Sequence, residues 1–348
     1  KMRSLSKNLI SLDKFIDKAL YDKKKGYYMK KNPFGKKGDF ITSPNISILF
    51  SEMILIWIVS FWENLKKPKK INIVELGSGN GEMLYQIIKA SSKFPIFKNS
   101  CQFYIFEKSP HLIKIQKNKL KDFKLNWIKD LKKISNSPTL FIGNEFFDAL
   151  PIKQFTKKKN NWFEKYVDSK SKQKKIVDIK INIKKIEKKI GINVSENQKF
   201  IEFSPLCFNI IKKISKIINQ YEGGLLIIDY GYFNQKMLNT LQSIKNHKKI
   251  NIFKQITKSD ITYMLNFFLI KKIINKFNLK LNGLSSQREF LINLGILNRA
   301  EIISKKVLFS QKANIYYRLK RLIDKNQMGE LFKVMFVSSK NINFRLGF

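Results

Sequence analysis

The chain is short of the residues that build disulfide scaffolds and metal centres. Its 348 residues include only two cysteines, Cys101 and Cys207, which cannot form a disulfide framework and lack metal-ligand spacing. Its two histidines, His111 and His247, do not cluster, so we expect neither a zinc site nor another metal site. So low a thiol content is typical of a protein from a reducing cytosol.

Arginine is also scarce, although the chain is strongly basic. Only six of the 68 Lys and Arg residues are arginine, and with 26 acidic residues the net charge is +42. Proteins that read nucleic acids use arginine for bidentate contacts, and their basic residues form a patch or stripe. Here the lysines are spread among many Ile, Asn and Phe, which indicates a drift toward AT-rich codons. We therefore expect no specific nucleic-acid partner, although the charge favours acidic partners.

Long apolar runs are missing too. The mainly apolar stretch Met53–Trp62 is too short to cross a bilayer, so the region Ile46–Leu65 is predicted to be a buried helix. Pro68 then ends that helix. We find neither a secretory signal near the first residues nor an internal repeat. A chain of this length can bury a sizeable core, in one large domain or two modest ones.

The most informative motif follows an apolar strand at Ile71–Leu76. Helical apolar spacing begins at Glu82, and three alternate glycines precede it: Gly77, Gly79 and Gly81. A strand, a glycine turn and a helix N-terminus together form a nucleotide cradle. The spacing differs from the G-x-G-x-x-G of dinucleotide turns, which disfavours an NAD-dependent oxidoreductase. A flatter loop of this kind suits S-adenosylmethionine, whose cationic amino acid end could lie near Glu75.

Glu107 is a candidate ribose ligand. It lies 26 residues after Gly81, at the end of the second predicted strand. An acidic group at that place can accept hydrogen bonds from both ribose hydroxyls of a nucleotide. The alternative is a solvated carboxylate at a strand end. Because an NAD site would use a similar residue, Glu107 supports ribose binding without choosing the cofactor.

The run from Gly143 to Pro151 brings two carboxylates and an amide to the end of the fourth predicted strand. Open parallel sheets bind their ligands at that edge. The candidate catalytic residues are Asn144, Glu145 and Asp148, because Glu145 or Asp148 could orient a guanidinium and help to remove its proton. The alternatives are that Asp148 caps a following helix and that Asn144 satisfies loop backbone.

Strand-like and helix-like runs alternate from residue 71 onward, which predicts an α/β fold with a mostly parallel sheet covered on both faces. Between the fourth and fifth strands, Phe155–Ile183 alternates apolar and polar residues and predicts an inserted β-hairpin or small sheet. Helical regions are predicted at Leu12–Leu20, Ile256–Phe277 and Gln311–Lys325. The predicted strands are Ile71–Leu76, Phe103–Glu107, Lys124–Ile128, Thr139–Asn144, Gly224–Tyr230, Leu279–Leu284 and Phe332–Ser338, the last of them antiparallel at an edge.

The chain resembles the MidA-like family of class I methyltransferases, which includes the mitochondrial arginine methyltransferase that assists assembly of respiratory complex I. The resemblance covers nearly the whole chain. Its most specific motifs are the Asn144–Pro151 run and the Gly38–Thr42 loop, whereas all class I methyltransferases share the glycine turn. Other matching segments are Gly26–Tyr28, Val74–Gly77, Ser109–Pro110, Asp229–Gly231, Thr240–Gln242, Leu294–Ile296 and Met328–Val334.

The resemblance implies a Rossmann-like, mostly parallel seven-stranded sheet with helices on both faces. An inserted β-hairpin subdomain and a helical N-terminal region are expected to flank this core. We divide the chain into an N-terminal helical cap with the active-site loop (1–70), a cofactor-binding core (71–154), the inserted subdomain (155–200), and the remaining core with a substrate-side lobe (201–348).

The resemblance also implies S-adenosylmethionine as methyl donor and a protein arginine as acceptor, for example on a subunit of respiratory complex I. The strand end at Asp229–Gly231 is expected to line the substrate side, and the Gly38–Pro44 loop to fold over the active site. A cytoplasmic location is expected, with the mitochondrial matrix for eukaryotic relatives, and a homodimer is one allowed assembly. The implied cofactor contacts are Glu75, Gly77, Gly79, Gly81, Glu107 and Asp39.

The sequence departs from the family at a few polar positions. Asn45 stands where the family usually has Glu, and Met264 and Asn266 stand where it usually has His and Asp. Ser78 and Asn80 replace a common proline and arginine. The departures at Asn45, Met264 and Asn266, together with the strongly basic surface, support an alternative function, a non-catalytic assembly factor or chaperone that keeps the cofactor pocket as a structural element.

Overall fold

The structure, a computed structural model, describes residues 8–30, 33, 42–169, 173–245 and 248–348. Asp39, most of the Gly38–Pro44 loop and His247 lie outside the described residues. The strands are β1 (Leu9–Ser11), β2 (Ile71–Leu76), β3 (Cys101–Phe106), β4 (Asn126–Ile128), β5 (Thr139–Asn144), β6 (Lys153–Lys158), β7 (Asn161–Asp168), β8 (Lys175–Ile181), β9 (Phe200–Phe203), β10 (Gly223–Tyr232), β11 (Gln242–Lys245), β12 (Lys248–Ile250), β13 (Asp260–Thr262), β14 (Leu265–Asn266), β15 (Lys280–Ser286) and β16 (Phe332–Ser338).

The same described residues also contain fourteen α-helices. They are α1 (Leu12–Tyr21), α2 (Tyr27–Lys30), α3 (Ser43–Ile46), α4 (Ile48–Asn64), α5 (Glu82–Ala90), α6 (Pro95–Ser100), α7 (Pro110–Lys119), α8 (Ile183–Ile190), α9 (Pro205–Tyr221), α10 (Phe267–Lys276), α11 (Gln287–Asn293), α12 (Ile296–Ser304), α13 (Phe309–Ile323) and α14 (Met328–Leu331).

The central sheet has the predicted mostly parallel architecture. Its strand order is β15-β16-β10-β5-β2-β3-β4, with the two-residue strand β14 beside the end of β10. The pairs from β10 to β4 are parallel, and β16 is antiparallel to both of its neighbours. The antiparallel direction of Phe332–Ser338 is therefore confirmed, but its predicted edge position is wrong. β15 pairs outside it and covers it, so β16 is a buried inner strand.

Each face of this sheet carries a hydrophobic core, because the inner strands are buried on both sides. Val74 and Phe141 belong to one core, and Ile73 and Leu140 to the other. Helix α4 packs into the second core and is apolar nearly all round, as a buried helix should be. Within the described ranges, no helix combines the length and the hydropathy that a membrane crossing requires.

The predicted helix over Ile256–Phe277 is wrong in its first half. β13 pairs with β11 and β14 pairs with the end of β10, so tertiary strand pairing overrides the apolar helical pattern there. The helix begins only at Phe267, where the Asn266 side chain accepts a hydrogen bond from the N–H of Leu269 at 2.8 Å.

The insertion after β5 is larger than a hairpin. β6, β7, β8 and β9 form an antiparallel sheet, and the N-terminal strand β1 joins it by pairing Leu9 with Asp168. The N-terminal region therefore contributes a strand as well as helices. The domain boundaries given above remain a prediction.

Candidate functional site

The glycine turn after β2 needs its glycines for conformational reasons. Gly77, Gly79 and Gly81 all have positive φ, at 64°, 53° and 79°. A Cβ atom on Gly77 would lie 2.6 Å from Cδ2 of Phe146, so the turn also passes too close to that ring for a side chain. Gly81 stands at the N-cap of α5, which is the strand–turn–helix arrangement that the sequence predicts.

The Glu107 carboxylate lies directly after β3 and is held from both sides. Its Oε1 accepts the N–H groups of Lys108 and Ser109, each at 2.9 Å, and its Oε2 accepts Nε2 of Gln116 at 3.2 Å. Burial raises its pKa in spite of these three donors. Gln116 also donates to the carbonyl of Gly79 at 2.9 Å and thus joins the carboxylate to the glycine turn. Sequence reasoning missed Gln116, although the two residues are only nine positions apart.

Two neighbouring cavities open at this edge of the sheet. The large cavity has a volume of about 310 Å³ and is lined by Gly77, Gly79 and Glu107, with apolar walls that include Tyr21, Phe106, Leu131, Phe146 and Leu150. The small cavity, of about 30 Å³, is lined by Glu75, Asn45, Asn80, Asn144 and Met83, among others. Both cavities are lined by Gly77, Gly79 and Glu145, so Glu145 stands where they meet.

Glu75 is a buried carboxylate at the small cavity. It is only 4% exposed, and the Ser78 hydroxyl donates a hydrogen bond to it. Burial outweighs that hydrogen bond and raises the pKa of Glu75 to about 7.

Glu145 adopts a left-handed backbone, with φ of 52°, directly after β5. Its N–H donates to the carbonyl of Ile228 at 2.9 Å, which ties the turn to β10. Its Oε1 accepts the N–H of Ser43 and Nδ2 of Asn144, both at 3.2 Å. The surrounding protein raises the pKa of Glu145 to about 7 by desolvation. A non-glycine residue held in this conformation is a feature that often marks a functional site.

Asn144 leaves one hydrogen-bonding atom without a partner. The residue is 9% exposed, and among the described residues its Oδ1 accepts no hydrogen bond. Asn144 is one of the residues that line the small cavity. A buried acceptor that stays unpaired is costly and calls for a donor that binds there.

Asp148 lies behind the cavities rather than in their walls. Its Oδ2 accepts the Thr262 hydroxyl at 2.9 Å, and it belongs to the lining of neither cavity. Burial, with repulsion from Glu145, raises its pKa to about 7. The residues that follow Asp148 form a turn rather than a helix, so the proposed helix cap is not found.

Asp229 fixes the loop that carries Glu145 and Asp148. It is fully buried in the second half of β10, and its Oδ2 accepts the N–H groups of Phe147 at 2.9 Å and Asp148 at 3.3 Å. Burial and repulsion from Asp148 and Glu145 raise its pKa well above the ordinary value. The sequence pointed to this strand end as a cleft wall but not to the clamp on the loop.

The site contains five buried or partly buried carboxylates, those of Glu75, Glu107, Glu145, Asp148 and Asp229. Within the described part of the chain, no lysine or arginine forms an ion pair with any of them. A buried negative site without a counter-charge favours a cationic ligand.

The family departures fall in different places. Asn45 and Asn80 both line the small cavity, and Nδ2 of Asn80 donates to Oδ1 of Asn45 at 2.9 Å. Asn266 caps α10, and Met264 lines neither the large nor the small cavity. Two of the three departures that supported a non-catalytic function are thus outside the cavity walls.

The comparisons with known proteins agree on one class. Residues 53–285 match a protein family described as "Putative S-adenosyl-L-methionine-dependent methyltransferase". The chain is 30% identical to the mitochondrial protein arginine methyltransferase NDUFAF7 of Xenopus tropicalis, over 93% of this chain and 81% of that relative. The human protein of the same name is 26% identical over 93% of this chain and 78% of its own length.

A solved structure shows the same fold. It comes from Burkholderia thailandensis, is described as a "likely methyl transferase", and was determined with S-adenosyl-homocysteine bound. Its TM-score with this chain is 0.81, with 20% sequence identity, over 98% of this chain and 90% of that one. The similarity therefore extends over the insertion as well as the central sheet.

Proposed function

The chain belongs to this family of S-adenosyl-L-methionine-dependent methyltransferases, and from that premise we propose that it methylates a guanidinium nitrogen of a protein arginine. The observation that carries the proposal is the position of Glu145. Its carboxylate stands where the two cavities meet and has no cationic partner among the described residues. A guanidinium supplies both the missing charge and a fork of N–H donors.

The residues present fit the cofactor. We propose that Gly77 and Gly79 lie beneath it, that Glu107 accepts its ribose hydroxyls, and that Glu75 accepts its ammonium group. The three donors that hold Glu107 fix the carboxylate while its remaining lone pairs stay available. The large cavity has a volume suited to a ligand of this class. When bound, the cofactor supplies a methyl group on a positively charged sulfonium.

Glu145 and Asn144 would act on the acceptor. The unpaired Oδ1 of Asn144 can accept one guanidinium N–H, and the Glu145 carboxylate can accept another. The nitrogen that gains the methyl group loses one proton, which we assign to the Glu145 carboxylate. A pKa of about 7 suits this step, because a general base works best when its pKa is close to the operating pH. Positioning supplies much of the remaining rate enhancement.

We propose that Asp148 and Asp229 assist Glu145 from outside the cavity walls. Asp229 holds the backbone of the loop through two N–H groups, so we propose that it positions Glu145 without contacting the acceptor. Asp148 adds negative potential close to Glu145. Direct contact between Asp148 and the acceptor remains a prediction.

The identity of the acceptor protein is a more specific proposal. The relatives' names support a protein arginine, and we propose a respiratory complex I subunit or a related assembly client as the acceptor protein. The second candidate, a non-catalytic assembly factor, rests on Asn45, which lines the small cavity where the family usually has Glu. A cytoplasmic location and a homodimer remain predictions.

The test separates cofactor binding from methyl transfer. Titration calorimetry should show S-adenosylmethionine binding to wild type and to Glu145→Gln, and weak binding to Glu107→Ala. Tritiated cofactor and a protein extract from cells lacking this chain should yield labelled methylarginine with wild type, as identified by mass spectrometry. Glu145→Gln should lower that labelling at least about a hundredfold, in the range for loss of a general base. The control Glu63→Gln alters an exposed carboxylate, half of whose side-chain surface is accessible, and should change nothing.

Two outcomes would contradict the proposal. Wild type that is well folded and does not bind the cofactor would refute the methyltransferase assignment of the pocket. Cofactor binding without methylarginine, combined with a partner that is still captured by Glu145→Ala and Gly79→Val, would favour the non-catalytic assembly factor.

A further inference from the structure

The junction of α12 and α13 exposes two adjacent large apolar side chains. Leu308 is 74% exposed and Phe309 is 86% exposed, the latter the highest value for a large apolar side chain in the described part of the chain. We call residues 305–313 the α12–α13 tip. Phe309, Ala313 and Tyr317 lie four residues apart along α13, so they share one face of the helix, and Tyr317 is 65% exposed.

The fold itself does not account for these side chains. Ala300, Leu319 and Leu322 of the helix pair are buried in the second core, and Ile303 and Ile315 are partly buried against it, but neither Leu308 nor Phe309 belongs to that core. Residues 308–314 are exposed throughout. Leu308 stands at the N-cap of α13 and makes no side-chain cap, a position where Ser, Thr, Asp or Asn would stabilise the helix. Leucine at this site therefore has an unfavourable local effect and gains no burial.

The charge around the tip is positive. Lys305, Lys306 and Lys312 are exposed within it, and the nearby carboxylate of Glu301 already forms an ion pair with Lys305 at 2.7 Å. Lysine is depleted at the centres of protein–protein interfaces. Lysine beside exposed Leu and Phe is instead typical of helices that lie in the interfacial layer of a membrane. The combination thus favours an anionic lipid surface over a protein surface.

We propose that the α12–α13 tip docks this protein on an anionic lipid bilayer. Leu308 and Phe309 enter the boundary between headgroups and acyl chains, and the three lysines contact lipid phosphates. The opposite side of α13 contributes Ile315 and Arg318 to a cavity of about 220 Å³ that also includes Asn45 of the small cavity. Docking would therefore hold this side of the active site close to the lipid surface.

The first experiment is vesicle co-sedimentation. The probes are vesicles of phosphatidylcholine and of an equal mixture of phosphatidylcholine and phosphatidylglycerol. Wild type should sediment with the mixed vesicles, and the double variant Leu308→Ser/Phe309→Ser should bind them at least about tenfold more weakly. The matched control is Ile96→Ser, because Ile96 is 76% exposed on α6, next to Lys98, at the amino edge of the sheet. Cofactor titration should be the same for all these proteins, which shows that they are folded.

A second experiment reports orientation, because lysines elsewhere on the chain could adsorb to anionic lipid by charge alone. An environment-sensitive nitrobenzoxadiazole dye is attached at Phe309→Cys or at Ile96→Cys, both in a Cys101→Ser background that leaves only the buried Cys207. On mixed vesicles the emission from position 309 should shift to the blue, and the emission from position 96 should not.

Three results would overturn the proposal. The first is sedimentation that is unaffected by the double variant, and the second is an equal dye shift at both positions. The third is a dimer in analytical ultracentrifugation that the double variant abolishes while no vesicle binding occurs, since the tip would then be a contact between two copies of this chain.

Discussion

Replacing the buried Asp148 carboxyl by an amide should stabilise the protein without its cofactor, and the gain should grow with pH. The amide of Asp148→Asn has the shape of the protonated carboxyl and can still accept the hydroxyl of Thr262. The wild-type carboxylate is 7% exposed, and no cation pairs with it among the described residues. Its ionisation therefore costs free energy in the folded state that the unfolded chain does not lose.

The sign and the size of this difference in unfolding free energy follow from the pKa of Asp148. Asp148 titrates at about 7 in the folded protein and near its ordinary value of 3.8 when unfolded. Below the lower value both states are protonated and the cost is absent; it grows between the two values and is complete above about pH 7. A pKa difference of about 3 corresponds to about 4 kcal/mol of unfolding free energy, at most. Between about pH 5 and pH 8 the advantage of the variant should grow by about 2.5 kcal/mol.

Urea unfolding at several pH values measures this difference for wild type and variant. Asp22→Asn is a control of opposite sign, because the exposed Asp22 accepts the N–H groups of Lys24 and Lys25, which lower its pKa. That variant should be slightly less stable than wild type at alkaline pH. If Asp148→Asn were destabilising at every pH, or its effect did not vary with pH, the reasoning about the uncompensated carboxylates would be refuted.

Three further changes test the cavities. Gly77→Ala should weaken S-adenosylmethionine binding at least about tenfold in calorimetry, because positive φ strains alanine and its Cβ would lie 2.6 Å from the Phe146 ring; unchanged affinity would mean that the ring has room to move. Gln116→Leu should weaken the same binding by about threefold to tenfold, since it removes the donor that holds Oε2 of Glu107 at 3.2 Å; wild-type affinity would show that Glu107 needs no such support. In Glu145→Gln the methyl-transfer rate should lose its rise with pH around 7, because ionised Glu145 is the assigned base; an unchanged pH profile would place the base elsewhere.

Much of the central fold could be predicted from local patterns. The strands Ile71–Leu76 and Thr139–Asn144 have the predicted bounds, and the helix after the glycine turn begins at Glu82, as its apolar spacing indicates. Errors occurred where pairing with a distant segment decided the structure. The apolar residues around Asp260 and Leu265 fit a helix by spacing, yet they form strands because β11 and β10 offer open partners.

In the candidate site, too, the positions of some residues could be predicted from the sequence and the position of Asp148 could not. Asn144 and Glu145 line the cavity walls, as expected for residues at the end of a parallel strand. Asp148, only three residues further, lies behind the walls, because the loop turns it toward Thr262. No sequence spacing shows that turn, since it depends on a hydrogen bond between residues 114 positions apart.

The sequence by itself determined the parallel core and the glycine turn, because both depend on neighbouring residues and on the steric freedom of glycine. Its motifs also indicated the methyltransferase family. Only the tertiary structure decided that Asp229 clamps the Glu145 loop from 82 positions away, and that Gln116 joins Glu107 to Gly79. It alone showed that Leu308 and Phe309 stay in solvent. Burial and long-range hydrogen bonds arise from how the whole chain packs, so they are not written in any local stretch of it.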